Sequence, residues 1–128
     1  MSSLGDRVNV MGPQPIAQRT VVPPAMLAAA HRVMELLAAG DHAGLAAIAA
    51  PSGRAELAAV ASAVDAGAYD RHEIIATARI NYHHHVKARL HGPQVEPFTI
   101  QFRLGEYEGG WRVWDAANLT GRHGAWSR

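Results

Sequence analysis

Three consecutive histidines, His83 to His85, sit inside the stretch INYHHHVKARL (80–90). In an extended chain, successive side chains point to opposite faces, so three adjacent imidazoles cannot converge on one ion. His84 falls with Tyr82 and Val86 on an apolar face, where burial shifts an imidazole pKa and a cavity makes it a proton carrier. Asp115 is a second anomaly: its two-residue neighbours are Trp111, Val113, Ala117 and Leu119. A carboxylate among such residues is costly unless it is paired, protonated or faces a polar cavity. Asp115 therefore reads either as a structural anchor or as a base or orienting carboxylate. Tyr82, next to His84 on the same alternation, supplies a hydroxyl able to stabilise a developing oxyanion.

His83 and His85 form a His-x-His pair on the opposite face, a spacing able to chelate a divalent ion. Their expected neighbours are Arg103 and Gln101, followed by Lys87 and Arg89. No carboxylate completes the set, and no metal site is expected. That outer face also carries Arg79, Arg112, Tyr107 and Trp114. Arginines interleaved with aromatics suit single-stranded nucleic acid, but twelve basic residues against eleven acidic ones leave a net charge of only +1. A homodimer through Trp114, Arg103, His83 and His85 is the preferred use, since an exposed Trp on a sheet suits an interface core. Further candidate ligand contacts are His31 on the first helix, Tyr69 at the helix-to-strand junction, Phe102 and Trp111. No phosphate-binding loop or Ser/His/Asp arrangement stands out.

The elements that carry these residues follow from periodicity. At 128 residues the chain fits one domain. The absence of cysteine excludes disulfides, thiolate catalysis and Cys-ligated zinc. No apolar run reaches the ~20 residues of a membrane span, and MSSLGDRVNV does not read as a secretory signal, so a cytoplasmic protein is expected. Residues 1–23 read as a Pro-containing polar arm and 121–128 as a tail, leaving 24–120 as the domain. Met26, Leu27, Ala30, Val33, Met34 and Leu37 recur at helical spacing, with Pro24 opening the helix and Gly40 closing it. Asp41 caps a short second helix that ends before Pro51. Ser52 is expected to cap a third, carrying Leu57, Val60, Ala61 and Val64, stopped by Gly67.

From Ile74 to Leu90 the period is two, which predicts one long strand. HGPQ (91–94) turns into a second strand with Phe98, Ile100, Phe102 and Leu104 on one face. Gly109-Gly110 predicts a tight hairpin into a third strand, in which Leu104 faces Asp115 and Phe102 faces Ala117. In the first hairpin, His84 is expected opposite Phe102. His84 and Asp115 then lie about 10 Å apart across two strand spacings.

Helices followed by an antiparallel meander make an α+β fold. LLAAGDHAGLAAIAA (36–50) resembles the first-to-second helix junction of the NTF2-like superfamily. YEGGWRVWDAANL (107–119) resembles its last hairpin, where a Gly-rich turn precedes a Trp-led strand. The resemblance spans residues 24 to 120. It implies the cystatin-like cone shared with ketosteroid isomerase and the SnoaL-like cyclases, with helices packed on a curved antiparallel sheet. It also implies a small-molecule pocket and, in an enzyme, cofactor-free isomerisation, dehydration or cyclisation. Asp115, His84 and Tyr82 are the expected catalytic groups. The alternative is a non-catalytic homodimeric association module of the same fold.

Overall fold

The structure, a computed structural model, describes residues 22–121. Nearly all of the expected arm and tail lie outside that range. Helix α1 spans Pro24–Ala39, with proline in its first turn, and ends at Gly40 in the left-handed conformation, φ 70°. That conformation carries no steric penalty in glycine. Asp41 caps α2 (His42–Ile48), its Oδ1 accepting the Gly44 N–H at 2.9 Å. A 3-10 turn, Pro51–Gly53, leads into α3 (Arg54–Ala63). Contrary to the expectation from sequence, Ser52 does not cap α3, whose N-cap is Gly53; its hydroxyl donates instead to the Trp114 carbonyl at 3.3 Å. Among the described residues no helix is long and apolar enough to cross a membrane.

The sheet has four strands where the alternation predicts three: β1 (Arg71–Ile80), β2 (His83–Gly92), β3 (Val95–Tyr107) and β4 (Gly110–Asn118). They form a meander in sequence order, all neighbours antiparallel. The expected long strand is a hairpin: Ile80 pairs with His83 across a turn at Asn81-Tyr82, with Asn81 at φ 57°. Asparagine is among the few residues that visit this left-handed region readily. The last hairpin turns one residue earlier than expected, at Glu108-Gly109, both with positive φ.

Two irregularities set which side chains face the helices. In β1 the register shifts at Ile75, so Ile74 pairs with Ala88 but Thr77 with Val86 and Arg79 with His84. In β4 it shifts at Trp114, so Val113 pairs with Leu104 while Asp115 pairs with Arg103 and Ala116 with Phe102. An extra residue of this kind reverses the face of everything beyond it and adds twist. Between β2 and β3 the register differs by two from expectation, placing His84 opposite Leu104 and His85 opposite Arg103. A slip of two keeps the faces, and Val86, Ala88, Leu90, Ile100, Phe102 and Leu104 are all fully buried.

These strands meet Met26, Ala30, Val33, Met34 and Leu37 of α1 and Leu57 of α3 in one core. Each fully buried large apolar side chain contributes about 1.5–3 kcal/mol relative to exposure. α1 touches β1, β2 and β4, while α3 runs along β4. A polar seam fixes that last contact. The Ala50 N–H donates to the Val113 carbonyl at 2.8 Å, and the Ala116 N–H donates to Glu56 Oε1 at 3.2 Å. Gly53 is buried in the seam, and a Cβ there would stand 2.4 Å from the Val113 carbonyl oxygen and 2.8 Å from the Trp114 carbonyl carbon.

Candidate functional site

A cavity of about 460 Å³ opens at the end of the sheet where the two tight turns lie, beside the start of α1. Its walls are Pro23, Arg79, Tyr82, His83, His84, Glu106 and Trp111. That volume is in the range of small-molecule sites. Each strand delivers its residue for a local reason. Arg79 reaches the inner face because of the Ile75 bulge and stands opposite His84. Glu106 extends the buried face of β3 beyond Leu104 and pairs with Trp111 at the start of β4. Tyr82 projects from the first turn and is 88% exposed.

His84 is the most enclosed polar group of the cavity, at 6% exposure. Its ring meets the Trp111 indole edge-to-face, centroids 5.5 Å apart. Among the described residues nothing hydrogen-bonds to it. Burial first, then Arg79, His83 and His85, push its pKa below the usual histidine value. His84 is therefore a neutral imidazole at pH 7, with one ring nitrogen able to accept a proton and the other to donate one. The Arg79 guanidinium hydrogen-bonds through Nε to the Asn81 carbonyl at 3.2 Å.

The other expected site residues divide. Asp115 is not in this cavity: the Trp114 bulge turns it to the outer face, where it is 45% exposed and Arg103 Nε stands 2.9 Å from its Oδ2. The Arg103 N–H points off that contact, so charge attraction rather than a directed hydrogen bond holds the pair. Phe102 is fully buried in the core and is not among the walls of this cavity. Tyr69 belongs to a second cavity, about 330 Å³, shared with Glu35, Asp70, Arg71 and His72. Burial, then Asp65, raise its phenol pKa. His31 bonds across to β1, His31 Nδ1 to His72 Nε2 at 2.8 Å. Burial, then His31, lower the His72 pKa against an opposing pull from Glu35.

On the outer face His83 packs its ring on Trp114, centroids 5.1 Å apart, and its Nδ1 lies 3.1 Å from Arg103 Nη1. Burial first lowers the pKa of both His83 and His85. Arg103 and His85 add to the effect at His83 against Asp115; at His85, Asp115 opposes and Arg103 assists. Among the described residues no three His, Asp or Glu side chains converge to hold a metal. Ile80 is half exposed on this face and borders a groove of about 250 Å³ with Ala78, His85 and Gln101.

Arg79 and Glu106 are the site residues that sequence reasoning missed. Glu106 had a signal, because it continues the even-numbered face of Phe98 to Leu104. Arg79 had none, since its face depends on a bulge.

Helices against one face of a curved antiparallel sheet, with a cavity at its end, make this an NTF2-like α+β fold. The crystal structure of an NTF2-like protein of unknown function from Silicibacter pomeroyi DSS-3 superposes with a TM-score of 0.55. The two chains are 15% identical over 73% of this chain and 92% of that one, a likeness of fold alone. No protein-family model matches the chain, and no curated protein matches its sequence.

Proposed function

We propose that the protein binds a small, largely apolar molecule in the cavity beside α1, and that His84 exchanges a proton with it. The observation that carries this reading is His84 itself: more than nine-tenths buried, without a hydrogen-bond partner among the described residues, and open to a cavity of about 460 Å³. The imidazole opens to the cavity, where a bound ligand can take the place of water as its hydrogen-bond partner. In cofactor-free isomerisation, dehydration or cyclisation, the neutral His84 takes a proton from carbon or oxygen. The Tyr82 hydroxyl donates to the oxyanion that develops. Glu106 is the carboxylate at the cavity, the part that sequence alone gave to Asp115.

Native mass spectrometry of freshly purified protein, followed by denaturing release, tests the reading. A small molecule that leaves on denaturation and is absent from His84→Gln supports it. No bound mass, and no shift of the Trp111 indole signal with a panel of small aromatic and alicyclic probes, sinks it.

A homodimer through the outer face belongs to the same proposal. Ile80 is 54% exposed there, and Gln101 Oε1 and Trp114 Nε1 are buried without a partner. A second copy would cover Ile80 and Trp114 beside His83, His85 and Arg103. Sedimentation of the parent as a dimer and of Ile80→Glu as a monomer supports it; a monomeric parent at micromolar concentration removes it.

A further inference from the structure

We infer that this cavity selects its ligand through a carboxylate, seated between Arg79 and His84 at the amino end of α1. The inference rests on the pocket reading above and adds the charge of the ligand. The first argument is the commitment of Arg79. Its Nε is held by the Asn81 carbonyl, and among the described residues no carboxylate pairs with it, Glu106 of the same cavity included. Its two terminal nitrogens keep the forked donor geometry that matches a carboxylate.

The second argument is His84, which stands opposite Arg79 on the next strand. Its side chain is more than nine-tenths buried, lines the same cavity as Arg79, and as an imidazole has a ring N–H to give a ligand there. The third is the end of α1. Pro23 lines the cavity and is the N-cap residue; no side chain caps that end, and the first turn contains no acidic residue. Among the described residues, the partial positive charge of this 16-residue helix thus meets no capping side chain and no acidic residue in its first turn. Three features from α1, β1 and β2 point the same way, and among the described residues of the cavity wall only Glu106 opposes them. Glu106 comes from β3 and is exposed, so the anion sits on the Arg79 side. The ligand's unsaturated or aromatic body then lies toward Trp111.

The test uses full-length protein and two probes of one shape, phenylacetate and phenylacetamide, followed by the Trp111 indole N–H signal in NMR. The acid should bind about tenfold more tightly than the amide, the range of one charge-assisted contact. Arg79→Gln should abolish that preference, bringing acid and amide to the same affinity within about twofold. Arg79 is exposed, so the variant is expected to fold, and Arg79→Lys should recover part of the preference. Equal binding of acid and amide, or a preference that survives Arg79→Gln, overturns the inference and leaves the pocket reading standing. Failure of both probes to reach Trp111 overturns both.

Discussion

Gly53→Ala puts a methyl group into the seam between the helical layer and β4. The new Cβ would stand 2.4 Å from the Val113 carbonyl oxygen, 2.8 Å from the Trp114 carbonyl carbon and 3.0 Å from the Trp114 carbonyl oxygen. Ordinary contacts begin near 3.4 Å, so the turn must withdraw by roughly 1 Å. The obstructing atoms are backbone, and no rotamer change relieves them. Withdrawal loosens the Ala50 to Val113 hydrogen bond of 2.8 Å and the Ser52 to Trp114 bond of 3.3 Å. Overpacking costs about 1–3 kcal/mol, and each weakened hydrogen bond about 0.5–1 kcal/mol more. A loss of about 2–5 kcal/mol should lower the Tm by at least ~6 °C in a domain of this size. Urea unfolding followed by far-ultraviolet circular dichroism measures it, since an unchanged m-value assigns the loss to the folded state. Gly53→Ala unfolding within 1–2 °C of the parent would refute the reasoning, because the seam would then have to yield at almost no cost.

Four histidines, His72, His83, His84 and His85, have pKa values lowered by folding. The unfolded chain therefore takes up protons first as pH falls, and stability is full above about pH 6.5 and declines as pH drops through the folded values. Chemical denaturation at pH 7.5, 6.5 and 5.5 should show a falling midpoint, smaller in His84→Gln; a flat profile contradicts the burial of these rings. Asp115→Asn should change stability by no more than about 1 kcal/mol, because its partner Arg103 lies at a partly exposed site; thermal unfolding decides, and a loss above 2 kcal/mol would mean the pair is more than a surface contact. Glu108 holds a left-handed backbone, φ 50°, beside Gly109. Glu108→Asn should stabilise by about 0.5–1 kcal/mol, since Asn-Gly is the preferred pair in such a turn; no gain by urea titration would count against the assigned turn.

The helices were legible because their punctuation is local: Pro24, Gly40 and Asp41 each act within one turn of chain. The strand faces were legible only in part. Even-numbered residues from Ile74 to Leu90 read as one apolar face, yet Ala76, Ala78 and Ile80 pair with Lys87, His85 and His83 on the outer side. The bulge at Ile75 shifts the alternation by one residue, and the turn at Asn81-Tyr82 shifts it back. Two opposite errors cancel, and the sequence shows an unbroken period of two. His84 was placed on the inner face because it lies beyond both shifts. Asp115 was misplaced because it lies beyond a single one, the bulge at Trp114, with nothing to compensate. Bulges are set by tertiary contacts, here the seam from the 3-10 turn to Val113 and Trp114, which no local pattern announces. Arg79 sits between the two cancelling shifts, so its place in the cavity wall was invisible for the same reason.

The meander has a consequence for synthesis on the ribosome. Every strand neighbours the next in sequence, so each hairpin can close over a short loop as soon as it emerges. The helices, made first, have no sheet to cover until the later strands arrive, a wait of several seconds at ~5–20 residues per second. Their composition suits that interval. The alanines that fill α1, α2 and α3 favour helix without needing partners, and each exposes little apolar surface to neighbouring chains. A leucine-rich version of the same helices could fill the same core once folded, but would spend those seconds as an adhesive surface.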